Sequence, residues 1–158
     1  METLAFAIRK ERAMAARYRT LSRESPTREL KEAFDLLADE EAKHVVMLQR
    51  VQTAMAGWDE SAFLEEHHKA IEQAAGRIGE AAAAKSLLDA YQEALARERE
   101  SEAFYKQAAL KETAGHLRGT FYFLEGMERD HAKLVERVIR LVSRADVFVD
   151  PGKKPARE

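Results

Sequence analysis

Apolar residues recur along most of this chain at alternating intervals of three and four positions. That spacing is typical of helices that bury one face and expose the other. It predicts four long helices, at about residues 2–23, 26–56, 81–113 and 116–145. The pattern therefore indicates an all-α protein.

Two kinds of connection separate the predicted helices. The dipeptide Ser25-Pro26 predicts a short turn in which Pro26 begins the second helix and Ser25 caps it, so the first two helices form a hairpin. Gly115 is predicted to end the third helix before the fourth. Residues 57–80 form a long link with a short helix of its own. A link of this length lets the second and third helices run parallel, which gives a four-helix bundle of two helical hairpins with one long crossover connection.

The buried faces of two helices are each interrupted by a carboxylate and an imidazole. Glu41 and His44 replace apolar residues in the second helix, and Glu128 and His131 replace them in the fourth. Residues three positions apart lie on the same face of a helix. Because unpaired polar groups are costly in an apolar interior, these side chains are expected to share partners inside the bundle.

The chain repeats its polar core residues at an offset of 87 positions. This offset relates Glu11 to Glu98, Tyr18 to Tyr105, and the first Glu-x-x-His motif to the second. Each half is therefore predicted to be a helix that carries Glu and then Tyr, followed by a helix that carries Glu-x-x-His.

Length and composition exclude several classes of protein. The 158 residues suit one domain, predicted at 1–145, with a polar C-terminal tail at 146–158. The absence of cysteine excludes disulfides, thiolate catalysis and iron–sulfur centres. A net charge of -2 gives no sign of nucleic-acid binding. No apolar run is long enough for a membrane span, and the charged N-terminal stretch does not resemble a signal peptide, so we expect a cytoplasmic location.

Six polar side chains are predicted to meet in the core: Glu11, Glu41, His44, Glu98, Glu128 and His131. Four carboxylates in an apolar interior repel one another and take up protons. Two divalent cations would neutralise them, with two carboxylates bridging the ions, two binding terminally and one histidine on each ion. Oxygen and nitrogen ligands without sulfur favour iron or manganese.

A single Glu-x-x-His motif carries little weight in so Glu-rich a chain. Glu65 and His68 form a third copy that has no counterpart in the other half, so we do not expect it to bind metal. The alternative interpretation of the two core motifs is a pair of buried charge pairs, and their shared offset with Glu11 and Glu98 argues against it.

Tyr18 and Tyr105 follow the glutamates of the first and third helices by two helical turns, on the same face. A buried tyrosine hydroxyl needs a hydrogen-bond partner. Two interpretations remain open: a hydrogen bond to a metal-bound carboxylate of a neighbouring helix, or simple packing in the core.

These motifs together resemble the di-iron domain of rubrerythrins, within the ferritin-like superfamily, over about residues 4–142. The resemblance implies a ferritin-like four-helix bundle in which the six polar core residues hold two iron ions, with manganese or mixed metals as other options. It also implies reduction of hydrogen peroxide to water, and a homodimer.

Two features depart from the family pattern. Rubrerythrins typically add a rubredoxin domain with four cysteines, so here the electrons are expected to come from a separate donor, such as a rubredoxin-like protein. They also carry an extra glutamate one turn after the ligand of the third helix. At that place this chain has Ser101 and then Glu102, which makes Glu102 a candidate extra ligand.

Three classes of function follow from the sequence. The first is a di-iron peroxidase in which Tyr18 or Tyr105 donates a proton. The second is a ferroxidase or iron-binding protein that uses the same ligands to oxidise Fe(II) with oxygen. The third is a structural bundle with a vestigial site, and the complete set of six ligands argues against it.

Overall fold

A computed structural model describes residues 2–53, 69–71, 73–74 and 85–144. Four long helices account for most of these residues: α1 (Glu2–Glu24), α2 (Arg28–Gln52), α3 (Lys85–Lys111) and α4 (Gly115–Arg144). None of the described residues belongs to a β-strand, so the predicted all-α fold is confirmed. The predicted tail and most of the predicted link lie outside these ranges.

The turn between α1 and α2 differs from its prediction. Thr27, and not Ser25, is the N-cap of α2, because its side-chain oxygen accepts a hydrogen bond from the Leu30 backbone N–H at 3.3 Å. Ser25 instead closes the end of α1, where its hydroxyl donates to the Leu21 carbonyl oxygen at 2.7 Å. Pro26 consequently lies in the turn, and α2 begins two residues later. Serine and threonine are both favoured at the N-cap, so the sequence alone does not show which of Ser25 and Thr27 caps α2.

The third and fourth helices are joined by residues 112–114. Gly115 was predicted to break the third helix, but it is the first residue of α4. The Glu112 carboxylate accepts hydrogen bonds from the backbone N–H groups of Thr113 and Ala114, both at 2.9 Å. The third helix therefore ends at Lys111, before Gly115 is reached, and the Glu112 side chain accepts hydrogen bonds from the backbone of the turn.

Contacts across the bundle fix the direction of each helix. Arg19 of α1 pairs with Asp35 of α2 at 3.1 Å, so these helices are antiparallel neighbours. The Phe6 ring near the start of α1 lies 5.2 Å from the Phe104 ring near the end of α3, which makes α1 antiparallel to α3 as well. Helices α2 and α3 therefore run parallel, and the chain forms a ferritin-like bundle of two hairpins.

The core consists of two apolar clusters. One contains Leu21, Phe34, Tyr91 and Val138, and the other contains Leu48 and Phe121. On each helix, the predicted polar core residues fall between the segments that build these clusters. Because burial of each large apolar side chain is worth about 1.5–3 kcal/mol, the two clusters can offset the cost of a polar layer between them.

Candidate metal centre

All six predicted core residues lie in this polar layer, one from each of two helices and two from each of the others. Each has no exposed surface: Glu11, Glu41, His44, Glu98, Glu128 and His131. The three-residue spacing within α2 and α4 turns Glu and His toward the same interior face. The structure therefore brings together every residue that the repeat singled out.

The first half of the site surrounds His44. Its Nδ1 atom lies 3.0 Å from Glu11 Oε2, 3.1 Å from Glu41 Oε2 and 3.1 Å from Glu128 Oε1. One ring N–H cannot donate well to three oxygens in different directions. These four residues can offer four ligand atoms within 4.8 Å of one another, which is an arrangement that can hold a metal ion.

The second half surrounds His131. Its Nδ1 atom lies 3.1 Å from Glu41 Oε1 and 3.8 Å from Glu98 Oε2, and Glu128 completes a second group of four. Glu41 thus directs one carboxylate oxygen to each histidine. The two groups share Glu41 and Glu128, so the geometry distinguishes two shared carboxylates from two that belong to one group each.

The site fits metal ions better than a set of hydrogen bonds. Neither Glu128 oxygen has a hydrogen-bond partner among the described residues, nor does Glu98 Oε2, although all three atoms are buried. Two ligand atoms bound at about 2.1 Å in adjacent positions of an octahedron lie about 3.0 Å apart. The separations around His44 match that distance, and the oxygen and nitrogen donors suit iron or manganese.

Burial and mutual repulsion perturb the carboxylates. Burial, and then the charges of neighbouring glutamates, raise the pKa of Glu41 and of Glu98 well above the usual value. Burial also acts to raise the pKa of Glu11, but hydrogen bonds with His44 and Glu41 outweigh it and lower that pKa to about 2. Without metal, some carboxyl groups of the layer must therefore be protonated. Bound cations would displace those protons.

The two imidazoles are stacked, with ring centroids 5.3 Å apart and planes 13° from parallel. Burial acts to lower the pKa of His44, but the three glutamates around its Nδ1 atom raise that pKa well above its usual value. Burial dominates at His131, where it lowers the pKa to about 4. The proton of the metal-free pair therefore resides on His44, while His131 stays neutral.

Both tyrosines donate to a carboxylate of the opposite hairpin. The Tyr105 hydroxyl of α3 donates to Glu11 Oε1 of α1 at 2.5 Å, and the Tyr18 hydroxyl of α1 donates to Glu98 Oε1 of α3. Burial and then the adjacent carboxylate raise the pKa of each phenol. Of the two interpretations left open by the sequence, the structure supports the hydrogen bond to a carboxylate of the site.

The candidate extra ligand does not join the cluster. Glu102 accepts a hydrogen bond from Arg129 Nε at 2.8 Å, and its side chain is 23% exposed. Ser101 occupies the buried position instead, with no exposed surface and with a hydroxyl that has no partner in the described part of the chain. Glu102 follows Glu98 by four residues on α3, but its carboxylate lies at the partly exposed edge of α4, where it pairs with Arg129. The third Glu-x-x-His motif, at Glu65 and His68, lies outside the described residues.

Glu40 is a buried acid beside the site that the apolar pattern did not predict. Glu40 precedes Glu41, has no exposed surface and pairs with Lys43 Nζ at 2.8 Å. Its charge acts to raise the pKa of His131. Position 40 falls beside the apolar stripe, where a glutamate is ordinarily exposed to solvent.

The chain matches a known protein family. The family model described as Rubrerythrin matches residues 2–139. Neither the curated proteins nor the solved structures that were searched contain a match to the chain. Among the helices that the structure describes, none is long and apolar enough to cross a membrane.

Proposed function

The chain belongs to the rubrerythrin family, and from this premise we propose that it is a non-haem di-iron oxidoreductase. We propose that it reduces hydrogen peroxide to water with electrons from a separate donor, such as a rubredoxin-like protein. The observation that carries the proposal is the pair of overlapping ligand groups that share Glu41 and Glu128.

The residues divide into two metal positions. Glu11 and His44 would belong to one iron, Glu98 and His131 would belong to the other, and the two shared carboxylates would contact both. Bound iron would supply the electrons for peroxide reduction and would polarise the oxidant. The four carboxylates would neutralise two divalent ions, and complete burial keeps bulk water from the layer.

The tyrosines hold the outer carboxylates in place and keep protons near the site. Tyr105 fixes Glu11 by its hydroxyl, so that the other Glu11 oxygen faces His44. Its raised pKa keeps the phenol protonated at neutral pH. The phenol therefore keeps its proton next to Glu11 Oε1, and a metal ion bound to Glu11 would lower the phenol's pKa toward the range in which it can donate that proton.

One observation favours a second candidate, a ferroxidase that oxidises Fe(II) with oxygen. The extra glutamate expected on the third helix is missing from the cluster, because Ser101 occupies the buried position and Glu102 pairs with Arg129. The remaining set of four glutamates and two histidines is symmetric. Without the extra glutamate, the ligand set lacks the feature that would point to a peroxidase, so the ferroxidase remains a candidate.

An anaerobic Fe(II) titration followed by stopped-flow oxidation tests the proposal. We expect two irons per chain and clearly faster oxidation by peroxide than by oxygen. Faster oxidation by oxygen would favour the ferroxidase, and failure to bind two metals would overturn the site itself. Glu128→Ala should abolish iron binding, whereas Glu102→Gln removes one acid outside the cluster and should leave it intact.

Three further parts of the proposal concern the setting of the protein. We propose a homodimer, which light scattering would separate from a large ferritin-type cage. We propose a cytoplasmic location, where a reducing donor protein can reach the site. Iron is the proposed metal, and metal analysis of protein purified without added metal would distinguish it from manganese or a mixed centre.

A further inference from the structure

A cavity of about 530 Å³ lies in the groove between α1 and α3, outside the polar layer. The two helices belong to different hairpins, and the groove opens to solvent along their outer side. Its size is within the usual range for sites that bind small organic molecules. None of the six residues of the candidate metal centre lines it.

The groove carries a surplus of positive charge in a chain that is acidic overall. Four cations line it, at Arg9, Lys10, Arg17 and Arg97, against two carboxylates. One of these acids, Glu93, is already engaged by Arg17 at 3.2 Å and by Arg97 at 2.9 Å. The lining therefore offers an anion more positive charge than its own acids neutralise.

Two donors of the groove are shielded from solvent and have no acceptor among the described residues. They are Lys10 Nζ and Arg17 Nε. The Lys10 ammonium lies 5.9 Å from the centroid of the Tyr105 ring, a contact that offers it no hydrogen-bond acceptor. The Arg17 guanidinium also pairs with Glu93 through another nitrogen, at 3.2 Å, so its Nε–H and the Lys10 ammonium remain as donors. A buried donor without an acceptor is costly, and an anion in the groove would supply acceptors.

The remaining wall of the groove is apolar. Met14 forms part of it and is buried, whereas Phe6 is 48% exposed and packs its ring against Phe104. An inorganic anion would use only the cationic side of such a groove. A ligand with an acidic head and an apolar body would use both sides.

We propose that this groove is a binding site for an organic anion, with its carboxylate held by Lys10 and Arg17 and its apolar body packed on Phe6 and Met14. The site does not depend on the proposed redox function, because the groove and the metal centre share no residue. The bound anion would sit on the outer side of Tyr105, whose hydroxyl contacts Glu11 on the inner side.

Calorimetric titration of the full chain with three probes tests the site. Benzoate carries both the charge and the apolar body, benzamide lacks the charge, and inorganic phosphate lacks the body. We expect benzoate to bind at one site per chain, with at least about tenfold weaker binding of benzamide, which lacks the charge, and of phosphate, which lacks the apolar body. Titration of both metal-free and Fe(II)-loaded protein keeps this result separate from the outcome of the redox experiments.

Matched variants locate the binding. Arg17→Gln and Lys10→Met should each weaken benzoate binding by about tenfold, whereas Arg12→Gln removes the same charge from the exposed part of α1 outside the groove and should leave binding unchanged. Thermal unfolding verifies that each variant is folded. Absence of benzoate binding, equal weakening by Arg12→Gln, or equal affinity for phosphate would overturn the proposal.

Discussion

Tyr105 on α3 donates its hydroxyl hydrogen to Glu11 on α1, at 2.5 Å. The second tyrosine of the repeat, Tyr18, makes the reciprocal contact with Glu98. Helices α1 and α3 belong to different hairpins, so these two bonds join the hairpins at the level of the polar layer. Each bond leaves a carboxylate oxygen on the side of the histidines.

Removal of one of these bonds should destabilise the protein. We expect Tyr105→Phe to lower the free energy of unfolding of the metal-free protein by about 1.5–3 kcal/mol, the usual value of a hydrogen bond to a charged group. The ring stays in place, so little of the effect should come from lost packing. Urea unfolding followed by circular dichroism measures the change.

Tyr122→Phe is the matched control for this variant. Tyr122 is 45% exposed, and the same loss of one hydroxyl there should change stability by less than about 0.5 kcal/mol. Equal effects of the two substitutions would mean that the Tyr105 hydroxyl contributes no more than a surface group, and the hydrogen bond to Glu11 would have no stabilising role.

Shared and unshared carboxylates should differ in their effect on metal stoichiometry. Because Glu41 belongs to both ligand groups and Glu98 to one, we expect Glu41→Ala to abolish tight binding of both ions and Glu98→Ala to weaken mainly one. Anaerobic titration with Fe(II), with metal content measured after desalting, gives the number of ions per chain. One ion retained by Glu41→Ala and none by Glu98→Ala would contradict the division.

The alternation of apolar residues and the offset of 87 positions were sufficient to predict the four helices and the six residues that meet in the core. Which carboxylates the two groups share could not be predicted, because that depends on how far each helix is rotated about its own axis. The N-cap was predicted at Ser25 and lies at Thr27. The groove at Lys10 and Arg17 gave no signal, since charged residues two turns apart are ordinary on an exposed helix face.

Ser101 and Ser25 are both buried, but only one of them has hydrogen-bond partners. Ser25 donates to the Leu21 carbonyl oxygen and lies 3.1 Å from the Tyr91 hydroxyl, whereas the Ser101 hydroxyl has no partner in the described residues. We therefore expect Ser25→Ala to lower the free energy of unfolding by about 1 kcal/mol and Ser101→Ala to leave it unchanged or raise it. Thermal and urea unfolding of the metal-free variants measures both effects, and a larger loss for Ser101→Ala would show that its hydroxyl is bonded.

The metal-free protein should lose stability as the pH rises from 7 to 9. The folded pKa values of Glu41 and Glu98 are raised from 4.5, and that of His44 is raised from 6.5. The folded chain therefore binds more protons than the unfolded chain above those values, and the free energy of unfolding falls as the pH rises. Two groups act in the opposite direction, Glu11 with a pKa of about 2 and His131 with a pKa of about 4. Their contributions are complete above pH 4.5 and 6.5, respectively, so only the falling contributions remain from pH 7.

Urea unfolding at several pH values between 7 and 9, with and without bound metal, tests this sign. Metal ions replace the protons of the site, and a higher pH favours metal binding because the ligands must be deprotonated. The metal-loaded protein should therefore keep its stability over the range in which the metal-free protein loses it. A metal-free protein whose stability does not fall from pH 7 to 9 would show that its buried carboxylates are already ionised at neutral pH without a cation, and the electrostatic case for a metal centre would fail.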